Sequence, residues 1–66
     1  MDVIYKFPEA AKQGREAAQR YYARVDAGEI KEGEDYEPHP YQKPESLNQE
    51  TEWHAFNAGW YYGIPD

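Results

Sequence analysis

Pro40-Tyr41-Gln42, then Leu47-Asn48-Gln49, then Phe56-Asn57-Ala58-Gly59-Trp60: these three runs in the C-terminal half decide the fold. The last of them has helical spacing. Trp53, Phe56 and Trp60 form an apolar stripe, with Gln49 as an alternative start and Ala55 and Gly59 as gaps in it. Ser46 is a fit N-cap because Gln49 follows three residues later in the capping-box arrangement, with Asn48 as an alternative cap. Glu50 and Glu52 suit the positive end of the helix dipole. Gly63 offers a stop and Pro65 prevents resumption, so a helix is expected over about 47–62.

Working outward, Pro8 fits the first position of an earlier helix, where its missing N–H costs nothing, and Glu9 follows it. That helix is expected to run over about 8–27 and stop at Gly28. Its inner face reads Ala10, Gly14, Ala17 or Ala18, Tyr21 and Val25, and small residues at this spacing let a second helix come close. Gly14 costs about 1 kcal/mol against Ala in a helix, so close packing is the reason to expect it there. Residues 3–7 alternate as a short extended segment. Residues 28–46 form a connection with Gly28, Gly33, Pro38, Pro40 and Pro44. A structureless loop this long is unusual, so Tyr36 and Tyr41 are expected to tie it down, Tyr41 tucking under the helix pair. The expected fold is all-α: one small domain over 1–66, an antiparallel two-helix hairpin with a long Pro/Gly-containing acidic connection and a short extended N-terminal segment.

Size and composition set limits. A chain of 66 residues buries about 60% of its unfolded surface, so aromatic packing or a partner must help it. Two Trp, two Phe and seven Tyr supply the aromatics. With no cysteine there is no disulfide framework or thiolate metal site, and a reducing cytoplasm is the expected location. No apolar run approaches the roughly 20 residues of a membrane span, and the N-terminus lacks the basic start and apolar stretch of a signal peptide. Charge is uneven: residues 1–27 are net +1 and residues 28–66 net −7, giving −6 in all. That balance disfavours generic binding to a phosphate backbone.

The pieces in their order resemble the ribosome modulation factor family, short two-helix proteins. The matching residues are Gln13-Gly14 and Ala17-Ala18 in the first helix, Pro40-Tyr41-Gln42 as the connector, Leu47-Asn48-Gln49, and Phe56-Asn57-Ala58-Gly59-Trp60 as the aromatic-glycine signature. The likeness covers roughly residues 10–62 and makes this chain an unusually acidic relative. Phe56 stands where the first Trp is expected unless Trp53 fills that place, and Lys43-Pro44-Glu45-Ser46 lengthens the gap after Tyr41. The likeness implies the helical fold, with Gly14, Tyr41, Trp53, Phe56, Gly59 and Trp60 holding it. It also implies a ribosome-associated role on the small subunit, but family members acting on ribosomes are basic, and fold alone does not carry function.

The residues themselves favour a binding protein over an enzyme. Glu50 and His54 stand one turn apart, a two-ligand spacing, yet a third ligand falls to His39 or a loop carboxylate, so no metal or other cofactor is expected. The carboxylates crowd a solvated loop rather than a shielded pocket, and there is no Cys nucleophile or phosphate-cradling glycine loop. No catalytic residue and no small-molecule substrate are expected. The acidic stretch Glu29, Glu32, Glu34, Asp35 and Glu37, with Tyr36, Tyr61 and Tyr62, is the candidate partner-binding surface, suited to a basic protein groove. Small acidic proteins of this sort look like phage-type inhibitors of nucleic-acid-handling machinery. Tyr61 and Tyr62 cannot both face the core, because adjacent helix positions diverge by about 100°. Lys12, Arg15, Arg20 and Arg24 on the first helix form the alternative, RNA-contacting face, with a Glu16–Arg20 pair expected within it. A membrane partner is not expected.

Overall fold

The computed structural model describes residues 2–65. Among them are three helices and no strand: α1 (Asp2–Lys6), α2 (Pro8–Asp26) and α3 (Glu52–Gly63). The segment expected to be extended is instead a helical turn. Val3 is buried, Phe7 half-buried and Tyr5 exposed, which is an i, i+4 pattern rather than alternation. Pro8 disfavours helical geometry at Phe7 alone, which sits at φ −130°. The backbone nevertheless bridges the break, Phe7 N–H donating to the Val3 carbonyl and Ala11 N–H to that of Phe7, each at 3.1 Å.

α2 follows the expected bounds closely. Ala10, Ala11, Gly14, Ala17, Ala18 and Tyr21 are buried, and Val25 is half-buried. Its end is a Schellman motif: Gly28 N–H donates to the Val25 carbonyl and Glu29 N–H to that of Arg24, both at 3.0 Å, with Gly28 at φ 77°.

α3 starts later than Ser46 predicts. Thr51 takes the N-cap position in extended geometry, and its hydroxyl pairs with His54 Nδ1 at 3.2 Å. Ser46 closes a separate turn instead, its hydroxyl accepting from Asn48 N–H and its carbonyl from Gln49 N–H, each at 3.3 Å. Gln49 is therefore outside the helix. Ala55, Phe56, Ala58, Gly59 and Gly63 are buried, while Trp53 and Trp60 are half-buried.

The larger correction concerns direction. From Gly28 the chain turns back along α2: Gly33 and Glu34 meet Tyr21, Glu37 meets Arg20, Tyr41 meets Gln13 and Glu50 meets Lys6. It descends the whole helix before α3 begins. α3 then climbs beside α2 in the same sense, Gly59 lying on Ala11 and Gly63 on Arg15. The pair is a parallel crossover rather than an antiparallel hairpin. α2 has 19 residues and spans about 28 Å, well within the reach of residues 27–51 at about 3.3 Å each. Long crossovers of this kind join parallel neighbours in other helical folds.

Small residues bring the helices together. A Cβ on Gly14 would overlap the carbonyl of Phe56, and one on Gly59 the carbonyl of Ala11. Gly63 belongs to the same seam, close to the Arg15 carbonyl and the Ala18 methyl, so it serves close approach more than termination. Val3, Ala10, Ala11, Ala55 and Ala58 make the core below the seam, with Ile4, Phe7 and Tyr41 packed against it.

Candidate functional site

The acidic connection is held in place by α2 and α3. Tyr21, 1% exposed, is the anchor. Its hydroxyl accepts from Gly33 N–H at 2.7 Å and donates to the Glu34 carbonyl at 3.0 Å; the Lys31 carbonyl lies farther, at 3.4 Å. Gly33 at φ 92° and Asp35 at φ 57° make the bend that turns these groups toward the ring. Asp is among the few side chains that tolerate that region. Tyr36 stacks on Tyr21 with centroids 4.7 Å apart, and Trp60 closes the cluster at 5.5 Å from Tyr21 and 5.9 Å from Tyr36.

Farther along, His39 acts as a strut. Tyr41 N–H donates to its Nδ1 at 3.1 Å, so Nε2 carries the hydrogen donated to Asn57 Oδ1 at 2.9 Å. Its ring stacks on Trp53 at 5.6 Å. Tyr41 is half-buried, as expected, and its hydroxyl donates to Gln13 Oε1 at 2.6 Å.

The charged candidates divide. Glu29, Glu32, Glu34, Asp35 and Glu37 are all exposed. Glu37 is engaged by Arg20 through a two-nitrogen fork at 3.0 and 3.4 Å, and hydrogen bonding to Glu37 followed by its charge pushes the Arg20 pKa up. Arg20 thus meets Glu37 across the connection, rather than the Glu16 carboxylate one turn away. Lys12, Arg15 and Arg24 have no ion pair among the described residues. Tyr36 is 55% exposed, Tyr61 72% and Tyr62 67%; both members of the Tyr61-Tyr62 pair therefore face outward. Tyr62 lies beside Lys12 and Arg15 rather than with the acids. Among the described residues no three His, Asp or Glu side chains gather as metal ligands. His54 is taken by Thr51 and Glu50 by Lys6 at 3.1 Å.

No protein-family model, curated protein or solved structure matches the chain. What the site can do rests on its own geometry.

Two phenols in the aromatic cluster are shifted. Burial of its ring, then the charge of Glu32, pushes Tyr22 up; the Tyr21 hydroxyl, then burial, pushes Tyr36 up. The folded state thus prefers their neutral forms. Their contribution to stability is complete below the ordinary phenol value of about 10 and is lost as pH rises through the higher folded values. Phenolate absorbance is expected to show a component from Tyr22 and Tyr36 that ionises above the ordinary phenol range, with the thermal midpoint falling over the same range. Phenolate formation complete within the ordinary phenol range would contradict this. Sequence reasoning marked Tyr36 as a contact residue but missed Tyr21 as its support, since a buried Tyr on a small-residue helix face reads as core.

Proposed function

We propose that this chain is a non-enzymatic binding protein that engages a basic protein surface through the connection between α2 and α3, and so modulates or inhibits that partner. Glu29, Glu32, Glu34 and Asp35 supply the charge and Tyr36 with Tyr61 the amphipathic contact area. One observation carries the reading: the connection is tied to α2 by the Tyr21 hydroxyl and by the Arg20–Glu37 fork, contacts that need no partner. Pre-ordering removes an entropic cost that a loose acidic loop meets on binding. A groove that ordinarily holds nucleic acid has the required chemistry, which is how an inhibitor of the phage type works.

Glu37 is left out of the test because it has an internal partner. Glu29→Lys, Glu32→Lys and Glu34→Lys, made together, are expected to release the basic protein that the wild-type chain retains from lysate, with helicity unchanged by circular dichroism. Retention unaffected by the three changes would overturn the proposal. A second reading is favoured by one observation, the lack of ion pairs at Lys12, Arg15 and Arg24 among the described residues: association with the small ribosomal subunit through α2, as the family resemblance implies. It predicts salt-sensitive cosedimentation with ribosomes, lost on Arg15→Glu and Arg24→Glu.

A further inference from the structure

α1, the first half of α2 and the end of α3 border an open groove of about 540 Å³ that the acidic connection does not use. Ile4, Tyr5, Pro8 and Tyr62 form its apolar walls, and Lys12 and Arg15 stand along one side. Its volume lies in the range of ordinary binding sites, about 300–1,000 Å³. Tyr5 is 83% exposed. The chain as a whole exposes 4947 Å², against about 4,400 Å² expected for a folded monomer of its mass.

Charge defines the occupant. In a chain of net charge −6, two neighbouring cations that make no ion pair among the described residues suit an apolar side chain accompanied by a carboxylate. The protein carries such an element. Leu47 is 63% exposed, and Glu45 lies two residues before it. The Lys6–Glu50 pair, at 3.1 Å, fastens this segment beside α1, whose Ile4 and Tyr5 wall the groove. Glu50, three residues after Leu47, is thereby held against α1, and in a two-fold dimer the exposed Leu47 of each copy can be set against the other's groove.

We propose that the chain forms a two-fold dimer in which Leu47 of each copy enters the other's groove and Glu45 meets Lys12 and Arg15. Net negative charge on both copies opposes their approach at low salt. That long-range repulsion is screened beyond about 8 Å at 0.15 M salt, while the contact pairs are screened less. Dimerisation is expected to strengthen between about 0.01 and 0.15 M salt.

The test is sedimentation equilibrium of the full chain up to millimolar concentration. A monomer–dimer equilibrium is expected. Leu47→Lys, which sets a third cation beside Lys12 and Arg15, and Arg15→Glu, which sets a carboxylate against Glu45, are each expected to weaken it by about tenfold or more. Adding Glu45→Arg to Arg15→Glu is expected to restore it. Leu47, Arg15 and Glu45 are all exposed, so circular dichroism of the variants is expected to match wild type. A monomer at every concentration, or a dimer indifferent to these substitutions, would overturn the proposal. So would a monomer that binds an acidic helical peptide or RNA through Lys12 and Arg15, which would assign the groove to that partner.

Discussion

Gly59→Ala is expected to destabilise the fold severely, although in an isolated helix the same change gains about 1 kcal/mol. The sign reverses because of what the new methyl meets. Its Cβ would fall on the Ala11 carbonyl, and the three nearest atoms all belong to the Ala11 backbone, so no flexible side chain can move aside. Relief requires parting α2 from α3, which opens the contacts of Ala10, Ala11, Ala55 and Ala58 beneath. Overpacking a core costs about 1–3 kcal/mol and occasionally more, and a backbone-on-backbone overlap belongs at the upper end. A domain of this size has roughly 3–10 kcal/mol in total. The thermal midpoint is therefore expected to fall by more than about 10 °C, with helicity lost at room temperature if the margin is small. Gly14→Ala meets the Phe56 carbonyl and is expected to behave alike. Gly28→Ala is the control: nothing lies near its Cβ, and φ 77° leaves a conformational cost of about 1–2 kcal/mol. Equal stability of Gly59→Ala and wild type would show that the helices do not meet at this seam.

What could be read from the sequence follows from how local each feature is. The inner face of α2 and its stop at Gly28 depend on periodicity and on one glycine, and both were legible. The exposure of the acids was legible too, since carboxylates without partners stay in water. Direction was not. Whether α3 runs with or against α2 depends on the route of residues 27–51, and contacts such as Tyr21 to Gly33 or Arg20 to Glu37 set that route. Nothing in the local sequence pairs those residues. The start of α3 was ambiguous for another reason: Ser46 and Thr51 are both residue types that cap helices, and the Ser46 hydroxyl is taken by the Asn48 N–H in a separate turn, with the helix beginning after Thr51. Gly59 read as a gap in an apolar stripe; that the gap is filled by a carbonyl requires the partner helix. In the candidate site, Tyr36 was visible as an exposed aromatic, while its stacking on Tyr21 depends on the bend at Gly33 and Asp35.

Tyr21→Phe is expected to separate order in the connection from stability of the helices. The change keeps the ring, so the stack on Tyr36 at 4.7 Å and the contact with Trp60 at 5.5 Å persist. It removes the hydroxyl that links Gly33 N–H to the Glu34 carbonyl. Leaving a buried donor and acceptor unmatched costs about 1–3 kcal/mol, but residues 31–40 are exposed and water can replace the hydroxyl. A loss of about 1 kcal/mol is therefore expected, with helicity retained. The larger effect falls on the loop: amide exchange at Gly33 is expected to accelerate, and affinity for a basic partner to drop because the acids must then be ordered during binding. Tyr21→Ala also removes the one large fully buried side chain among the described residues, at about 3–5 kcal/mol, and is expected to unfold the chain. The two variants together discriminate. If Tyr21→Phe leaves Gly33 exchange slow, the hydroxyl is not what pins the connection; if exchange speeds up while affinity is unchanged, pre-ordering of the acids contributes nothing to recognition.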